Sequence, residues 1–252
     1  MQEKTIRKDL QRIKGVMDQL RYNYEVIVVV DGKLDKTFEN AKKVRSPKIH
    51  IYTYPTNKGK GHAIRYGMAK SRGETIAFID AGMDINPNGI SMLLEHLEWY
   101  AADIIIGSKR HPVSKVNSYP FHRKIISFIS QFYIKLLFGL NVRDTQVGLK
   151  FMKRNVVKKV LPRLLVKNYA FDIELLVVSN YLGFTRIYEA PVELNWKSAT
   201  GITSRNLFRV LLLTFIDTLA IYYRLQILHY YDTKKVQKWN YDPDLNFRVS
   251  VR

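Results

Sequence analysis

Two carboxylates, Asp80 and Asp84, follow the short apolar run Ile76–Ile79, which Gly73 and Gly82 bracket. An apolar run of that length reads as a buried parallel strand. In open α/β sheets, ligands bind just beyond the carboxyl ends of strands. A carboxylate there can hold a divalent metal, and through it a diphosphate. The same residues also describe an ordinary strand with a polar turn. Upstream, Asn57-Lys58-Gly59-Lys60-Gly61 is a glycine-rich, basic turn that leads into a helical segment, His62–Ser71. Backbone N–H groups at such a helix start, helped by lysines, favour phosphate. The turn lacks the spaced glycine and the Ser/Thr of a Walker A loop, and its bland reading is a plain loop with solvated lysines. Asp172 and Glu174 open a further helix, a placement the helix dipole favours by a few tenths to about 1 kcal/mol.

The elements that must position these groups alternate along the chain. Met1–Leu20 carries Ile6, Leu10, Ile13, Met17 and Leu20 at helical spacing. Tyr24–Val30 is a β-branched run that reads as a buried strand ending on Asp31-Gly32. A short helix over Phe38–Val44 and a strand over Ile49–Tyr54 follow. Beyond the Asp80 strand come a helix from Pro87 to about Tyr100 and a strand over Asp103–Gly107. This alternation predicts a mostly parallel α/β sheet flanked by helices. Ile187–Trp196 is strand-like, Ser198–Ser204 is polar, and the tail after Asp232 reads as polar and loose.

Two helical stretches are apolar for another reason. Phe121–Leu140 presents a broad apolar face with Arg123, Lys124 and Lys135 interspersed, which suits a core helix or one lying in a membrane interface. Asn206–Tyr231 is longer, but Asp217 and Arg224 lie inside it. Two central charges cost about 2.5–3.5 kcal/mol each on an insertion scale, which disfavours spanning. The expected organisation is a main domain over 1–204, an amphipathic interface or packing helix over 205–231 and a tail over 232–252.

The charge of +19, from 41 Lys and Arg against 22 Asp and Glu, calls for an anionic partner: nucleic acid, an anionic membrane or a phosphorylated substrate. The basic residues are dispersed and form no zinc-finger or RNA-recognition signature, so no specific nucleic acid is expected. With no cysteine, disulfides and thiolate metal sites are excluded. Met1–Leu10 lacks the apolar core of a secretion signal. The expected location is peripheral, at the cytoplasmic face of a membrane.

Several motifs now line up in order. Val28-Val29-Val30-Asp31-Gly32, with Asp35 and Thr37, resembles the nucleotide-binding strand end of family 2 glycosyltransferases. Asn57–Ala63 resembles the family's Asn-X-Gly-Lys-Gly loop, and Phe78-Ile79-Asp80-Ala81-Gly82 its Asp-X-Asp strand end. Gly107–Arg110 and Arg123–Ser127 resemble elements of the polyprenyl-phosphate branch. Asp144–Lys150 and Phe171–Leu176 look most like the dolichyl-phosphate glucosyltransferase group. The match runs from about Glu3 to Trp196. It departs from the family twice: Gly82 stands where the second Asp is expected, and the chain begins where the family's first, central strand would already have ended.

The resemblance implies a GT-A fold, a Rossmann-like sheet with a nucleotide-sugar at its carboxyl edge. It also implies inverting transfer of a sugar, glucose in first place, from a UDP-sugar to a polyprenyl phosphate at the membrane surface. A divalent metal, Mg²⁺ or Mn²⁺, would be held by Asp80, with Asp84 as helper or merely as a helix cap. The resemblance assigns Asp31 and Gly32 to the donor's base or ribose, and Lys58 and Lys60 to the nucleotide. Arg123 becomes a phosphate clamp, Asp144 and Gln146 approach the sugar or acceptor, and Arg205 lies in a loop closing over the site. The alternatives are a non-catalytic nucleotide-binding relative and a family 2 transferase with another glycan acceptor.

Overall fold

The strand Ile104–Ser108 sets the layering. Successive side chains of a strand point to opposite faces. Ile104 and Ile106 enter one apolar core while Ile105 enters another, and all three are fully buried. A strand apolar on both faces needs cover on both. Helices packed on Ile104 and Ile106 cover one side, and the helix Gly89–Trp99 with Ile105 covers the other.

A computed structural model describes residues 2–117, 120–195, 207–232, 239–242, 245 and 247–250. The strands are β1 Val26–Val30, β2 Ile49–Thr53, β3 Thr75–Ile79, β4 Ile104–Ser108, β5 Lys115–Asn117, β6 Leu149–Lys153, β7 Ile187–Pro191, β8 Glu193–Asn195, β9 Trp239–Asp242 and β10 Phe247–Ser250. The helices are α1 Ile6–Asp18, α2 Thr37–Lys42, α3 Lys60–Lys70, α4 Gly89–Trp99, α5 Phe121–Phe138, α6 Arg154–Val160, α7 Phe171–Tyr181 and α8 Leu207–Gln226. A 3₁₀ turn, Leu161–Arg163, follows α6.

The central sheet has the order β3-β6-β4-β7. β4 and β7 pair in parallel, and β6 runs antiparallel to both β3 and β4. Three of its four strands therefore point the same way, as the alternation of strands and helices predicted, with β6 reversed between them. β1 and β2 pair in parallel as a separate two-stranded sheet. Val26–Val29 are only half-buried, although their composition reads as fully buried. β1 has a ladder partner, β2, along one edge alone among the described strands.

α1 ties the two sheets together. Ile6 and Leu10 are buried against Ala41, Val26, Val28 and Ile51, whereas Val16, Met17 and Leu20 pack on the α4 core. Arg12 Nη2 donates to Asn86 Oδ1 at 2.9 Å. Burying Ile6 and Leu10 stabilises by about 1.5–3 kcal/mol each.

Two outcomes differ from the sequence reading, and for α5 one of its two open readings is set aside. The tail is not simply loose: β9 and β10 form an antiparallel pair that packs on the 3₁₀ turn, with Leu245 buried. β6, within a stretch read as a polar motif, is a buried strand. α5 is not a core helix: Ile134 is buried, but Phe121, Phe128, Ile129, Phe132 and Leu136 are exposed. No described helix is long and apolar enough to cross a membrane.

Candidate active site

The site is built around the end of β3. Asp80 donates its backbone N–H to Gly148 O at 2.7 Å, which brings the start of β6 against it. The approach is so close that a Cβ at Gly148 would lie 2.1 Å from the Asp80 carboxyl group. The Asp80 side chain is 43% exposed, and its Oδ2 accepts from Lys60 Nζ at 2.9 Å. The same ammonium donates to Asp172 Oδ2 at 3.1 Å. Asp172 is fully buried, and its Oδ1 accepts from Lys150 Nζ at 2.5 Å. Lys150 also donates to Val147 O at 2.6 Å. The result is an alternating chain, Lys150–Asp172–Lys60–Asp80, that begins in the core and surfaces at Asp80.

Local structure explains this convergence. Lys150 lies two residues before Met152 on β6 and so shares its face, the one covered by α7. Asp172 stands in the first turn of α7. Lys60 opens α3, and two glycines let that helix start abut the 166–167 segment. A Cβ at Gly59 would meet Lys167 O at 2.5 Å, and one at Gly61 would meet Val166 O at 2.6 Å. Burial pushes the Lys150 ammonium down despite Asp172. For Lys60, burial also acts downward, but Asp172 and Asp80 outweigh it and raise the value. Burial raises Asp172 less than the two lysines lower it, so its carboxyl sits below its ordinary range.

The expected backbone phosphate cradle is already filled. The Asp31 carboxylate accepts from Lys58 N at 2.8 Å, Gly59 N at 3.0 Å and Tyr54 Oη at 2.8 Å. Lys167 O accepts from Gly61 N at 2.7 Å and His62 N at 3.4 Å. Asp31 thus anchors the 57–59 loop, and side-chain ammonium groups, rather than these amides, are what a phosphate can meet. Gly32 is required there: its φ is +78°, and a Cβ would lie 2.6 Å from Asn57 N. Lys58 Nζ lies 5.5 Å from the centre of the Tyr54 ring.

Asp84 takes a separate course. Gly82 and Met83 both have positive φ and turn the chain away from β3. Asp84 O then accepts from Asn195 N at 2.8 Å, beside β8. Among the described residues, no group of three or more His, Cys, Asp or Glu side chains lies close enough to hold a metal ion. A protein-only cage does not fit. A divalent ion sharing its ligands between one carboxylate and a diphosphate does fit, because such ions keep only one or two protein carboxylates beside the phosphates.

A second feature adjoins this edge. Asp144 is buried and pairs with Lys109 Nζ at 3.1 Å, while its N–H and that of Arg143 donate to Glu189 Oε1 at 3.0 and 2.9 Å. Gln146 is half-buried in the same loop, which runs on to Gly148 against Asp80. Lys109 also lines a cleft of about 890 Å³ with Arg110, Lys124, Lys135 and Arg143, and with the aromatic residues Phe128 and Phe132. Arg123 lies in the first turn of α5, and its side chain is outside those described. Arg205 lies outside the described residues.

Of the residues singled out in the sequence, Lys60 and Asp80 meet directly, and Asp144 and Gln146 lie in the loop that reaches Asp80 through Gly148. The sequence reading missed Lys150 and gave Asp172 only a helix-dipole role. Their signal was present: a lysine inside an apolar strand is almost never fully buried unless paired.

The comparisons with known proteins agree with this architecture. The family model for glycosyl transferase family 2 matches residues 9–161. The dolichyl-phosphate beta-glucosyltransferase of Drosophila melanogaster is 33% identical over 190 residues, covering 71% of this chain and 57% of that protein. The Homo sapiens protein of that name is 32% identical, over 71% of this chain and 58% of its own. An undecaprenyl-phosphate mannosyltransferase of Micrococcus luteus is 28% identical, over 67% of this chain and 70% of its own. The chain thus spans somewhat over half the length of the first two relatives. Among solved structures, glucosyl-3-phosphoglycerate synthase of Mycobacterium tuberculosis, in complex with Mn²⁺, UDP and phosphoglyceric acid, superposes with a TM-score of 0.65. It is 18% identical, with 99% of this chain and 83% of that one covered, a likeness of fold alone. On the family match and the identity to these relatives, the chain belongs to glycosyl transferase family 2.

Proposed function

We propose that this protein transfers a sugar from a nucleoside diphosphate to a polyprenyl phosphate at a membrane surface. The observation that carries the reading is the adjacency of two unlike features across the 144–148 loop. One is the charge-compensated edge at Asp80, and the other is the cationic, aromatic cleft under α5. The first suits a diphosphate leaving group, and the second suits an anionic head on an apolar chain.

An acceptor phosphate is ionised at neutral pH and needs no strong general base. In-line attack on the anomeric carbon inverts its configuration, and the sugar–diphosphate bond breaks as the new bond forms. The protein's task is to align the reactants and to neutralise the departing diphosphate. Lys60 and Lys58 supply charge at the nucleotide side, and Asp31 and Gly32 hold the loop that carries them. Asp80, with Asp84 as a weaker second, is the carboxylate for a divalent ion, Mg²⁺ or Mn²⁺. Such an ion stabilises charge on the diphosphate oxygens. Asp144 and Gln146 face the transferred sugar or the acceptor. Arg123 clamps the acceptor phosphate with its planar fork, and Arg205 contributes from the 196–206 segment.

The membrane partner is argued from α5 and α8. Their rings stack at Tyr133 and Phe215, with centroids 5.1 Å apart. Phe128 and Phe132 are 66% and 65% exposed, and Phe208, Leu212, Phe215 and Ile216 of α8 are exposed as well. Thr218, Ile221 and Leu225 anchor the far end of α8 in the core. An exposed apolar face rimmed by cations is the composition of a helix pair lying in a lipid interface. This face supports a peripheral contact with the membrane.

The test is incubation of the full-length protein with UDP-glucose, Mg²⁺ or Mn²⁺ and polyprenyl phosphate in lipid. Glucosyl-phosphate lipid is the expected product. A folded sample that transfers nothing from any sugar nucleotide would defeat the proposal.

A further inference from the structure

We infer that Lys60 is a resident cation on Asp80 that competes with a divalent ion, so that this protein takes up the ion only together with a nucleoside diphosphate. The inference deepens the proposed function and rests on its donor edge. Three observations carry it. Asp80 is the terminal carboxylate of the β3 edge, and Lys60 already occupies its Oδ2 at 2.9 Å. Gly82 offers no second ligand atom, and the described residues hold no cluster of three acidic or histidine side chains. Lys60 is also held independently of Asp80, by Asp172 at 3.1 Å.

The last point makes the arrangement a switch rather than a fixed ion pair. Asp172 cannot simply release Lys60, because its burial demands compensation and its other oxygen is already engaged by Lys150. Lys60 therefore stays near the edge when it leaves Asp80. A diphosphate arriving there offers the ammonium a new anion and offers the divalent ion additional oxygen ligands. Both changes free Asp80 for the metal. Without a diphosphate, a divalent ion must displace an ammonium from Asp80 and gains in exchange at most the weaker Asp84, beyond the turn at Gly82 and Met83. Lys60 is a positioning residue for the metal, and Lys150 and Asp172 set its reach.

The experiment measures Mn²⁺ binding to the full-length protein from the electron paramagnetic resonance signal of free Mn²⁺, with and without UDP. In wild type, Mn²⁺ alone should bind weakly, and UDP should tighten it by about tenfold or more, the factor expected if the carboxylate is free for about a tenth of the time. Lys60→Met should bind Mn²⁺ without UDP about tenfold more tightly than wild type. Lys60→Arg keeps the cation and, without UDP, should bind Mn²⁺ as weakly as wild type. Thermal melts establish that each variant is folded. A folded Lys60→Met no tighter for Mn²⁺ than wild type, or Lys60→Arg as tight as Lys60→Met, overturns the inference. Should Lys60→Met not fold, wild-type protein labelled with ¹⁵N-lysine decides. The Lys60 ammonium resonance should move with Mg²⁺ and UDP together and stay in place with Mg²⁺ alone, whereas an equal shift with Mg²⁺ alone overturns the inference. UDP that binds to no form of the protein defeats the donor reading, while the UDP-free comparison of Lys60→Met with wild type still decides the role of Lys60.

Discussion

The edge at Asp80 and the face of α5 and α8 solve opposite problems. At the edge, four charges are drawn into the protein, and each is answered by another: Lys150 by Asp172, Asp172 by Lys60, Lys60 by Asp80. On the helix face, large apolar side chains are left outside and nothing in the chain covers them among the described residues. A buried charge network is costly to break and geometrically exacting. An exposed apolar face costs the fold little when it is altered. The first region is therefore expected to tie function to stability, and the second to separate them.

The largest expected effect lies at the buried end of the network. Asp172→Asn leaves Lys150 in the core without its anionic partner. Breaking a buried pair on one side costs about 3–5 kcal/mol, so urea unfolding should show a loss of that order. A loss below about 1 kcal/mol would mean that Lys150 finds other compensation, and the contrast with the helix face would narrow.

At the exposed end, function should suffer and stability should not. Asp80→Asn keeps the shape of the side chain but weakens its hold on Lys60 and on any divalent ion. Removing one preorganised electrostatic contact typically lowers turnover about 10²–10³-fold. Asp84→Asn, beyond the turn at Gly82 and Met83, should lower sugar transfer less than about tenfold. Equal losses in the transfer assay would mean that the metal carboxylates are wrongly apportioned.

The helix face gives the reverse pattern. Phe128→Asp with Phe132→Asp replaces two exposed rings by charges. Sedimentation with vesicles containing anionic phospholipid should show partitioning reduced by about 10–100-fold, given about 1.5–3 kcal/mol for each fully buried ring and partial insertion. The unfolding midpoint should stay within error. A double variant that still sediments as wild type would remove the membrane from the reading of this face.

How much of this was legible in the sequence differs between the same regions. β3, α4 and β4 fall close to where apolar period and turn residues put them, because local composition and burial agree there. The apolar stripe of α5 was equally visible, but sequence alone could not tell a core face from an exposed one. β6 was read as part of a polar motif because Asp144, Thr145, Gln146, Gly148 and Lys150 dominate the stretch that leads into it. Lys150 belongs in that strand only because Asp172, from another element, answers it. The filled amides at Lys58, Gly59, Gly61 and His62 were hidden for the same reason: their acceptors, Asp31 and Lys167, are distant in sequence. The β9–β10 hairpin was within reach, since Trp239 and Tyr241, and Phe247 and Val249, alternate with polar residues, but the tail was judged by its overall polarity.

The smallest expected effect separates two carboxylates one helical turn apart or less. Asp172 and Glu174 both lie buried in the first turn of α7, yet their environments push them in opposite directions. Two lysines overcome burial at Asp172 and hold its carboxyl below the ordinary 3.8, so the stability it contributes is full above that pH and is lost as pH falls through its folded value. At Glu174 burial wins over the hydroxyl of Tyr231, the amides of Leu165 and Val166 and the charge of Arg224, and its carboxyl is raised above 4.5. Its ionisation therefore costs stability as pH rises from 4.5 towards the folded value. Glu174→Gln keeps an acceptor for the two amides and a partner for the rotatable Tyr231 hydroxyl, but it cannot ionise. Urea unfolding from pH 4.5 to 7.5 should show the variant gaining on wild type as pH rises, by at most about 1.4 kcal/mol for each pH unit until the gain levels off. A difference that stays constant across this range would mean that Glu174 is held ionised, as Asp172 is, and the contrast between the two carboxylates would fall.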